Sequence, residues 1–163
     1  MPVERLRPLA SGESIPPFAL AKSPGEMFSS RELYGRPALL TFYPADWSPV
    51  CGDQLALYQA ILPEFEQYDA QIVGISVDGV WCHAAYADAR GLTFPLLADF
   101  EPKGELSRRF GVYRHGDGVS ERALFVLDKE GVIRWQQVVE PSVNPGAAGI
   151  LSALDDLRAT SGV

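Results

Sequence analysis

Cys51 is the residue of this sequence best placed for covalent chemistry. It follows the apolar run Pro37 to Phe42, which predicts a buried strand, and it begins a stretch with helical periodicity. A cysteine in the first turn of a helix faces unpaired backbone N–H groups and the positive end of the helix dipole, and both favour the thiolate. Because the thiolate is the nucleophile, the sequence predicts a reactive sulfur at position 51.

Two further residues precede this cysteine at a spacing that suits the same chemistry. Pro44 and Ser48 complete a Pro-x-x-x-Ser-x-x-Cys pattern with Cys51. A proline stiffens the loop and can shield a thiolate from bulk water, while a hydroxyl three residues before the cysteine can hydrogen-bond an incoming oxygen. Ser48 is also suited to cap the following helix, with Pro49 at its first position. The alternative is an inert core cysteine, the commoner fate of a lone cysteine.

The elements that must position this motif alternate between strand and helix. Alternation of this kind predicts βαβ units and an α/β fold with a largely parallel sheet flanked by helices, to which a closing hairpin adds an antiparallel edge, so that the sheet as a whole is mixed. A cysteine at the end of the first βα connection is typical of a thioredoxin-type fold. The predicted elements are two short strands around Ser23–Gly25, a strand at Pro37–Phe42, a helix from Cys51 to about Gln67 interrupted at Pro63, a strand at Gln71–Val77, a helix at Val80–Arg90 capped by Asp78 and closed near Gly91, a strand at Phe94–Leu97, a short helix at Lys103–Phe110, a hairpin of Ala123–Leu127 and Val132–Val139, and a helix at Ala147–Thr160.

Composition and charge exclude several classes of function. The length of 163 residues predicts a single domain over residues 1–163, and the net charge of −7 argues against a nucleic-acid partner. The first residues lack the apolar core of a secretory signal, and no run approaches the length of a membrane span, so we expect a cytoplasmic protein without a membrane partner. In a reducing compartment, Cys51 and Cys82 are not expected to form a permanent structural disulfide.

The segment around Cys51, TFYPADWSPVC, resembles the active-site segment of the peroxiredoxins, the alkyl hydroperoxide reductase and thiol-specific antioxidant family. The resemblance extends from about Ser14 to Leu157, and its second half is most similar to the one-cysteine, E-type alkyl hydroperoxide reductases. It implies a thioredoxin-like fold with a central mixed sheet and an N-terminal strand extension. The further matching stretches are ISVDGVWCHAAYA, FPLLADFEPKGELSRRFGVY and RALFVLDKEGVIRW.

This resemblance also implies a mechanism and a set of site residues. Cys51 is the expected peroxidatic cysteine, with Ser48 as hydroxyl ligand, Pro44 as loop proline and Arg122 as catalytic arginine. The thiolate would attack hydrogen peroxide or a small organic hydroperoxide and become a sulfenic acid. The implied partners are an external thiol reductant, such as thioredoxin, a glutaredoxin-like protein or a low-molecular-weight thiol, and further copies of the chain in a homodimer or larger assembly. No metal, haem or flavin is expected.

The sequence departs from the family pattern at several places, including the residue beside the arginine and the usual positions of a resolving cysteine. Gln54 stands where many relatives carry a glutamate that orients the arginine, so it can hydrogen-bond but supplies no charge. Cys82 does not occupy a usual resolving position. It is either a buried or interface thiol that behaves as a small hydrophobe, or a resolving cysteine for the Cys51 sulfenic acid, within the chain or between subunits.

Other functions and sites are weaker hypotheses. A thioredoxin-type thiol-disulfide oxidoreductase suits the fold, but the usual Cys-x-x-Cys has become Ser48-Pro49-Val50-Cys51. A non-enzymatic redox sensor or holdase is a further alternative. His83 and His115 are not expected to bind metal, because no cysteine or carboxylate cluster accompanies both at ligand spacing.

Overall fold

The computed structural model describes residues 4–160, in which a mixed sheet is flanked by helices on both faces. The strands are β1 (Ala19–Ser23), β2 (Glu26–Ser29), β3 (Ala38–Phe42), β4 (Gln71–Ser76), β5 (Leu96–Ala98), β6 (Tyr113–Arg114), β7 (Val119–Ser120), β8 (Arg122–Leu127) and β9 (Ile133–Val139). The helices are α1 (Pro49–Ala60), α2 (Leu62–Gln67), α3 (Val80–Arg90), α4 (Glu105–Phe110) and α5 (Ala148–Thr160), and a 3-10 turn lies at Ser30–Leu33.

The strand order in the main sheet is β2-β1-β5-β4-β3-β8-β9, and β6 pairs with β7 in a separate ribbon. The predicted mixed sheet is confirmed, but the prediction that it is largely parallel is wrong. Within residues 4–160, only β3–β4 and β4–β5 pair in parallel, whereas β1 and β8 join the central strands in the antiparallel direction. The reason is that the strand–helix alternation extends only over β3, β4 and β5, while hairpins supply both edges of the sheet.

The central strand β3 lies between two apolar cores. Leu40 belongs to the core that also contains Phe110 of α4. Leu39 belongs to the other core, together with Leu55 of α1 and Ile150 of α5. Because β3 is covered on both faces, its sequence reads as a continuous apolar run.

The direction of the strands explains why residues distant in sequence meet at one edge of the sheet. Strands β3 and β4 are parallel, so their carboxyl ends lie at the same edge. Strand β8 is antiparallel to β3, with Phe42 opposite Ala123, so Arg122 at the start of β8 lies at this edge as well. The loop that follows β3 leads from there to Cys51 in α1.

The predicted helices agree with the structure except at their boundaries. The long first helix is divided at Ile61, just before Pro63, because a proline cannot take part in the helical hydrogen-bond ladder. Gly91 ends α3 in the left-handed conformation, as predicted. The predicted cap of this helix is wrong, since the N-cap is Gly79 and the Asp78 carboxylate binds elsewhere. Within residues 4–160, every helix is too short or too polar to span a bilayer.

Candidate active site

The sulfur of Cys51 lies at the buried start of α1. Ser48 is the N-cap residue, Pro49 occupies the first position, and Cys51 is fully buried in the first turn. The first turn contains no acidic side chain, so no carboxylate offsets the positive end of the helix dipole. The local sequence therefore supplies one of the two electrostatic contributions that favour a thiolate.

Arg122 supplies the second contribution. Its side chain is only 1% exposed, and its Nη1 lies 3.3 Å from the Cys51 Sγ. The same nitrogen donates to Gln54 Oε1 at 2.7 Å, while Nε and Nη2 donate to the carbonyl oxygen of Pro141 at 3.0 and 2.6 Å. These bonds fix the guanidinium plane, so the charge faces the sulfur without further reorganisation.

The Cys51 sulfur is the group in contact with Arg122 that can carry a negative charge. Gln54 and Pro141 contribute neutral oxygens, and no ion pair observed within residues 4–160 involves Arg122. A buried cation without a counterion is unfavourable, because low-dielectric surroundings do not replace its hydration. A thiolate at Cys51 supplies the missing negative charge, so the site favours the nucleophilic form of the cysteine.

Gln54 is held in place by a short chain of buried hydrogen bonds. Its Nε2 donates to the hydroxyl of Tyr58 at 3.1 Å, and that hydroxyl donates to the carbonyl oxygen of Gly146 at 3.0 Å. Burial raises the pKa of Tyr58 to about 12, so the hydroxyl keeps its proton at physiological pH. With the amide nitrogen engaged in this way, the amide oxygen faces Arg122.

Replacing Gln54 with Glu tests this charge balance. A carboxylate in contact with Arg122 would neutralise the guanidinium and repel the thiolate, so we expect the rate of Cys51 oxidation by peroxide at neutral pH to fall about tenfold. Stopped-flow Trp fluorescence at neutral pH measures the effect.

The matched control is Gln59→Glu, which makes the same charge change on the same helix, where the side chain binds Thr93 near the surface. We expect this variant to keep the wild-type oxidation rate. Identical oxidation rates for Gln54→Glu and wild type would show that the charge at position 54 does not control the reactivity of the sulfur.

The structure places Pro44 and Ser48 in the loop between β3 and α1, and both are half-buried. The carbonyl oxygen of Ser48 accepts the Gly52 N–H at 2.9 Å, as expected for an N-cap residue. Its hydroxyl makes no capping hydrogen bond, contrary to the predicted side-chain cap. Because the hydroxyl is not engaged by the cap, it can serve an incoming oxygen.

Cys82 is a half-buried free thiol in the first turn of α3. Its Sγ lies 4.0 Å from Asp78 Oδ1. Burial, followed by the negative charges of Asp46 and Asp78, raises the pKa of the Cys82 thiol. Cys82 is therefore held in the form that is the weaker nucleophile.

A buried polar network, which the sequence analysis missed, stabilises the loop before Cys51. The Asp46 carboxylate accepts the Tyr43 hydroxyl at 2.7 Å and lies 2.7 Å from His83 Nδ1, and His83 Nε2 donates to the Leu97 carbonyl oxygen at 3.1 Å. The Asp46 N–H donates to Asp78 Oδ2 at 2.8 Å, and this explains why Asp78 does not cap α3. The network fixes the loop that carries Ser48 to the first half of α3 and to strand β5 at Leu97.

This network also corrects the sequence analysis of His83. Carboxylate oxygens of Asp46 and Asp78 lie within 4.8 Å of a His83 nitrogen, so a carboxylate pair does accompany this histidine in space. The ring nitrogens of His83 are already engaged by Asp46 and Leu97, and a metal would have to displace these hydrogen bonds. The signal was not readable locally, because Asp46 and His83 lie on different elements.

Comparisons with known proteins agree with this geometry. The model of the AhpC/TSA family matches residues 11–136. The chain belongs to the AhpC/TSA family. Alkyl hydroperoxide reductase E of Mycobacterium tuberculosis is 34% identical over 131 residues, which cover 80% of this chain and 86% of that protein. Alkyl hydroperoxide reductase C of the same organism is 35% identical over 145 residues, which cover 85% of this chain and 73% of that protein.

Solved structures of AhpC/TSA proteins share the fold. AhpC of Enterococcus faecalis has a TM-score of 0.84 at 28% identity, with 93% of this chain and 94% of that chain covered. AhpC of Mycobacterium tuberculosis has a TM-score of 0.83 at 30% identity, with 94% of this chain and 95% of that chain covered. The predicted family and the predicted thioredoxin-like fold are thus confirmed, and family membership makes the protein a thiol-dependent peroxidase, an oxidoreductase of the peroxiredoxin type.

Proposed function

We propose that this AhpC/TSA protein reduces hydrogen peroxide and small organic hydroperoxides to water and alcohols, with Cys51 as the peroxidatic nucleophile. The observation that carries the proposal is the 3.3 Å contact between Arg122 Nη1 and Cys51 Sγ in a buried site. A cation fixed beside a nucleophilic sulfur suits attack on an O–O bond, because negative charge develops on the leaving oxygen during the step.

Each site residue has a distinct part in the proposed reaction. The Cys51 thiolate attacks one peroxide oxygen, the O–O bond breaks, and the sulfur becomes a sulfenic acid while the other oxygen leaves as hydroxide or alkoxide and is protonated. Arg122 favours the thiolate and stabilises the charge that moves onto the oxygens. The Ser48 hydroxyl holds the incoming peroxide, and Pro44 limits access of bulk water to the sulfur.

The sulfenic acid must then be reduced by a thiol from outside the chain. We propose thioredoxin, a glutaredoxin-like protein or a low-molecular-weight thiol as the reductant, and the cytoplasm as the compartment, which suits a chain with two free cysteines. The raised pKa of Cys82 supports its assignment as a structural or interface thiol rather than a resolving cysteine. We further propose a single domain over residues 1–163 that assembles at least as a homodimer.

The test is consumption of hydrogen peroxide and tert-butyl hydroperoxide with each reductant in turn, followed by mass spectrometry of the cysteine states. We expect saturable turnover with at least one reductant and a sulfenic acid on Cys51 in peroxide-treated protein. A Cys51–Cys82 disulfide would instead assign the resolving role to Cys82. Reduction of insulin disulfides without peroxide turnover would favour the thioredoxin-type alternative and contradict the proposal.

A further inference from the structure

The Tyr86 hydroxyl lacks a hydrogen-bond partner in a position where one is expected. Tyr86 is fully buried, and within residues 4–160 its hydroxyl is the single buried side-chain polar atom that meets no partner. Buried polar groups are nearly always hydrogen-bonded, and leaving one unpaired costs free energy. An unpaired hydroxyl at this depth suggests a partner that is present in another state of the protein.

The Tyr86 ring packs against the segment that carries the nucleophile. It contacts the ring of Trp47, the residue directly before Ser48, edge-on with 5.1 Å between the ring centroids. The Arg90 guanidinium lies 5.9 Å from the ring centroid, and its carbon is 3.4 Å from the position that a Cβ on Gly52 would occupy. Tyr86 and Cys51 also belong to the same apolar core. Tyr86 is thus buried beside the segment that contains the reactive sulfur.

The hydroxyl is available as a donor. Burial, followed by the negative charge of Cys51, raises the pKa of Tyr86 to about 12, so the O–H keeps its proton at physiological pH. The donors of Arg122, by contrast, are already shared among the sulfur, Gln54 and Pro141. Besides the Ser48 hydroxyl, which is assigned to the incoming peroxide, the Tyr86 hydroxyl is therefore a second uncommitted donor for an oxygen on the sulfur.

We propose that the Tyr86 hydroxyl donates a hydrogen bond to the oxygen that Cys51 acquires from the peroxide. This inference rests on the proposed function. As the S–O bond forms, the O–O bond breaks and its electron pair leaves with hydroxide or alkoxide, which solvent protonates. The sulfur is oxidised by one electron pair and the peroxide is reduced by the same pair. Tyr86 transfers no proton, and it stabilises the transition state because its hydrogen bond develops together with the S–O bond.

The test compares two reactions of Cys51 in a Cys82→Ser background, so that position 51 carries the single thiol. In Tyr86→Phe, which keeps the ring and its contact with Trp47, we expect oxidation by hydrogen peroxide to slow about tenfold, equivalent to about 1.4 kcal/mol. Alkylation by iodoacetamide places no oxygen on the sulfur, so its rate should stay at the wild-type value. Tyr34→Phe changes an exposed tyrosine in the same way and should leave both rates unchanged.

Two results would overturn the inference. An unchanged oxidation rate in Tyr86→Phe would show that the hydroxyl does not bind the new oxygen, and an equal fall in both rates would show that Tyr86 acts through packing alone. If peroxide fails to oxidise Cys51 even with Tyr86 present, the proposed function itself fails and this inference with it. Normal oxidation of the parent protein keeps the two failures distinguishable.

Discussion

Replacing Cys51 with Ser should abolish peroxide turnover. A serine hydroxyl in the same position is not ionised at neutral pH, and Arg122 alone does not provide a nucleophile, so no covalent step can begin. The residual rate should be that of peroxide with the reductant alone. Peroxide consumption with thioredoxin or a low-molecular-weight thiol measures the effect.

The matched control for this variant is Cys82→Ser, which removes the other cysteine of the chain. It should retain oxidation of Cys51 by peroxide, because that step of the proposed reaction uses the Cys51 sulfur and not Cys82. Peroxidase activity that survives in Cys51→Ser would assign the chemistry to another residue and refute the proposed function.

Replacing Arg122 with Ala is expected to have the second largest effect. Loss of one preorganised donor to a developing negative charge typically costs 10²–10³ in rate, and Arg122 also favours the thiolate, so we expect oxidation of Cys51 to slow by about 10³-fold. Stopped-flow Trp fluorescence with excess peroxide gives the rate directly.

The Arg122→Ala change also affects stability, which must be separated from activity. It leaves the oxygens of Gln54 and Pro141 without their donor and opens a cavity, so we expect the free energy of unfolding to fall by about 1–3 kcal/mol. Arg122→Lys keeps the charge but cannot bind the sulfur and both oxygens at once. Its oxidation rate should lie between those of wild type and Arg122→Ala.

Arg134→Ala is the control for loss of an arginine as such. Arg134 lies on the neighbouring strand β9, 48% exposed, in a surface ion pair with Asp128. Surface pairs contribute little to stability, so both the rate and the unfolding free energy should stay near wild type. A wild-type oxidation rate in Arg122→Ala would contradict the role proposed for the guanidinium.

Local features of the fold were readable from the sequence because local rules determine them. The apolar run of β3 and Pro49 at the start of α1 both reflect local backbone and burial preferences. The strand directions were not readable in the same way. Antiparallel pairing of β8 with β3 depends on how the connection through α4 and the β6–β7 ribbon returns to the sheet.

In the candidate site, too, the sequence predicted the local features but not the contacts between distant elements. The spacing of Ser48 and Cys51 is a local motif, so the sequence alone indicated a reactive thiol. Arg122 is distant in sequence and was selected only through the family resemblance, although strand register brings it to the sulfur. The contact of Asp46 with His83 and the unpaired hydroxyl of Tyr86 were missed, because each depends on side-chain packing between elements that no sequence period reports.

The rate of Cys51 oxidation by hydrogen peroxide tests the central claim most directly. The claim is that the buried guanidinium of Arg122, fixed 3.3 Å from the sulfur, makes Cys51 a far better nucleophile toward peroxide than an ordinary thiol. Measured by stopped flow in Cys82→Ser at neutral pH, the rate constant should exceed that of a low-molecular-weight thiol by at least about 10³-fold, the factor assigned to the guanidinium. A rate constant equal to that of a low-molecular-weight thiol would contradict the account.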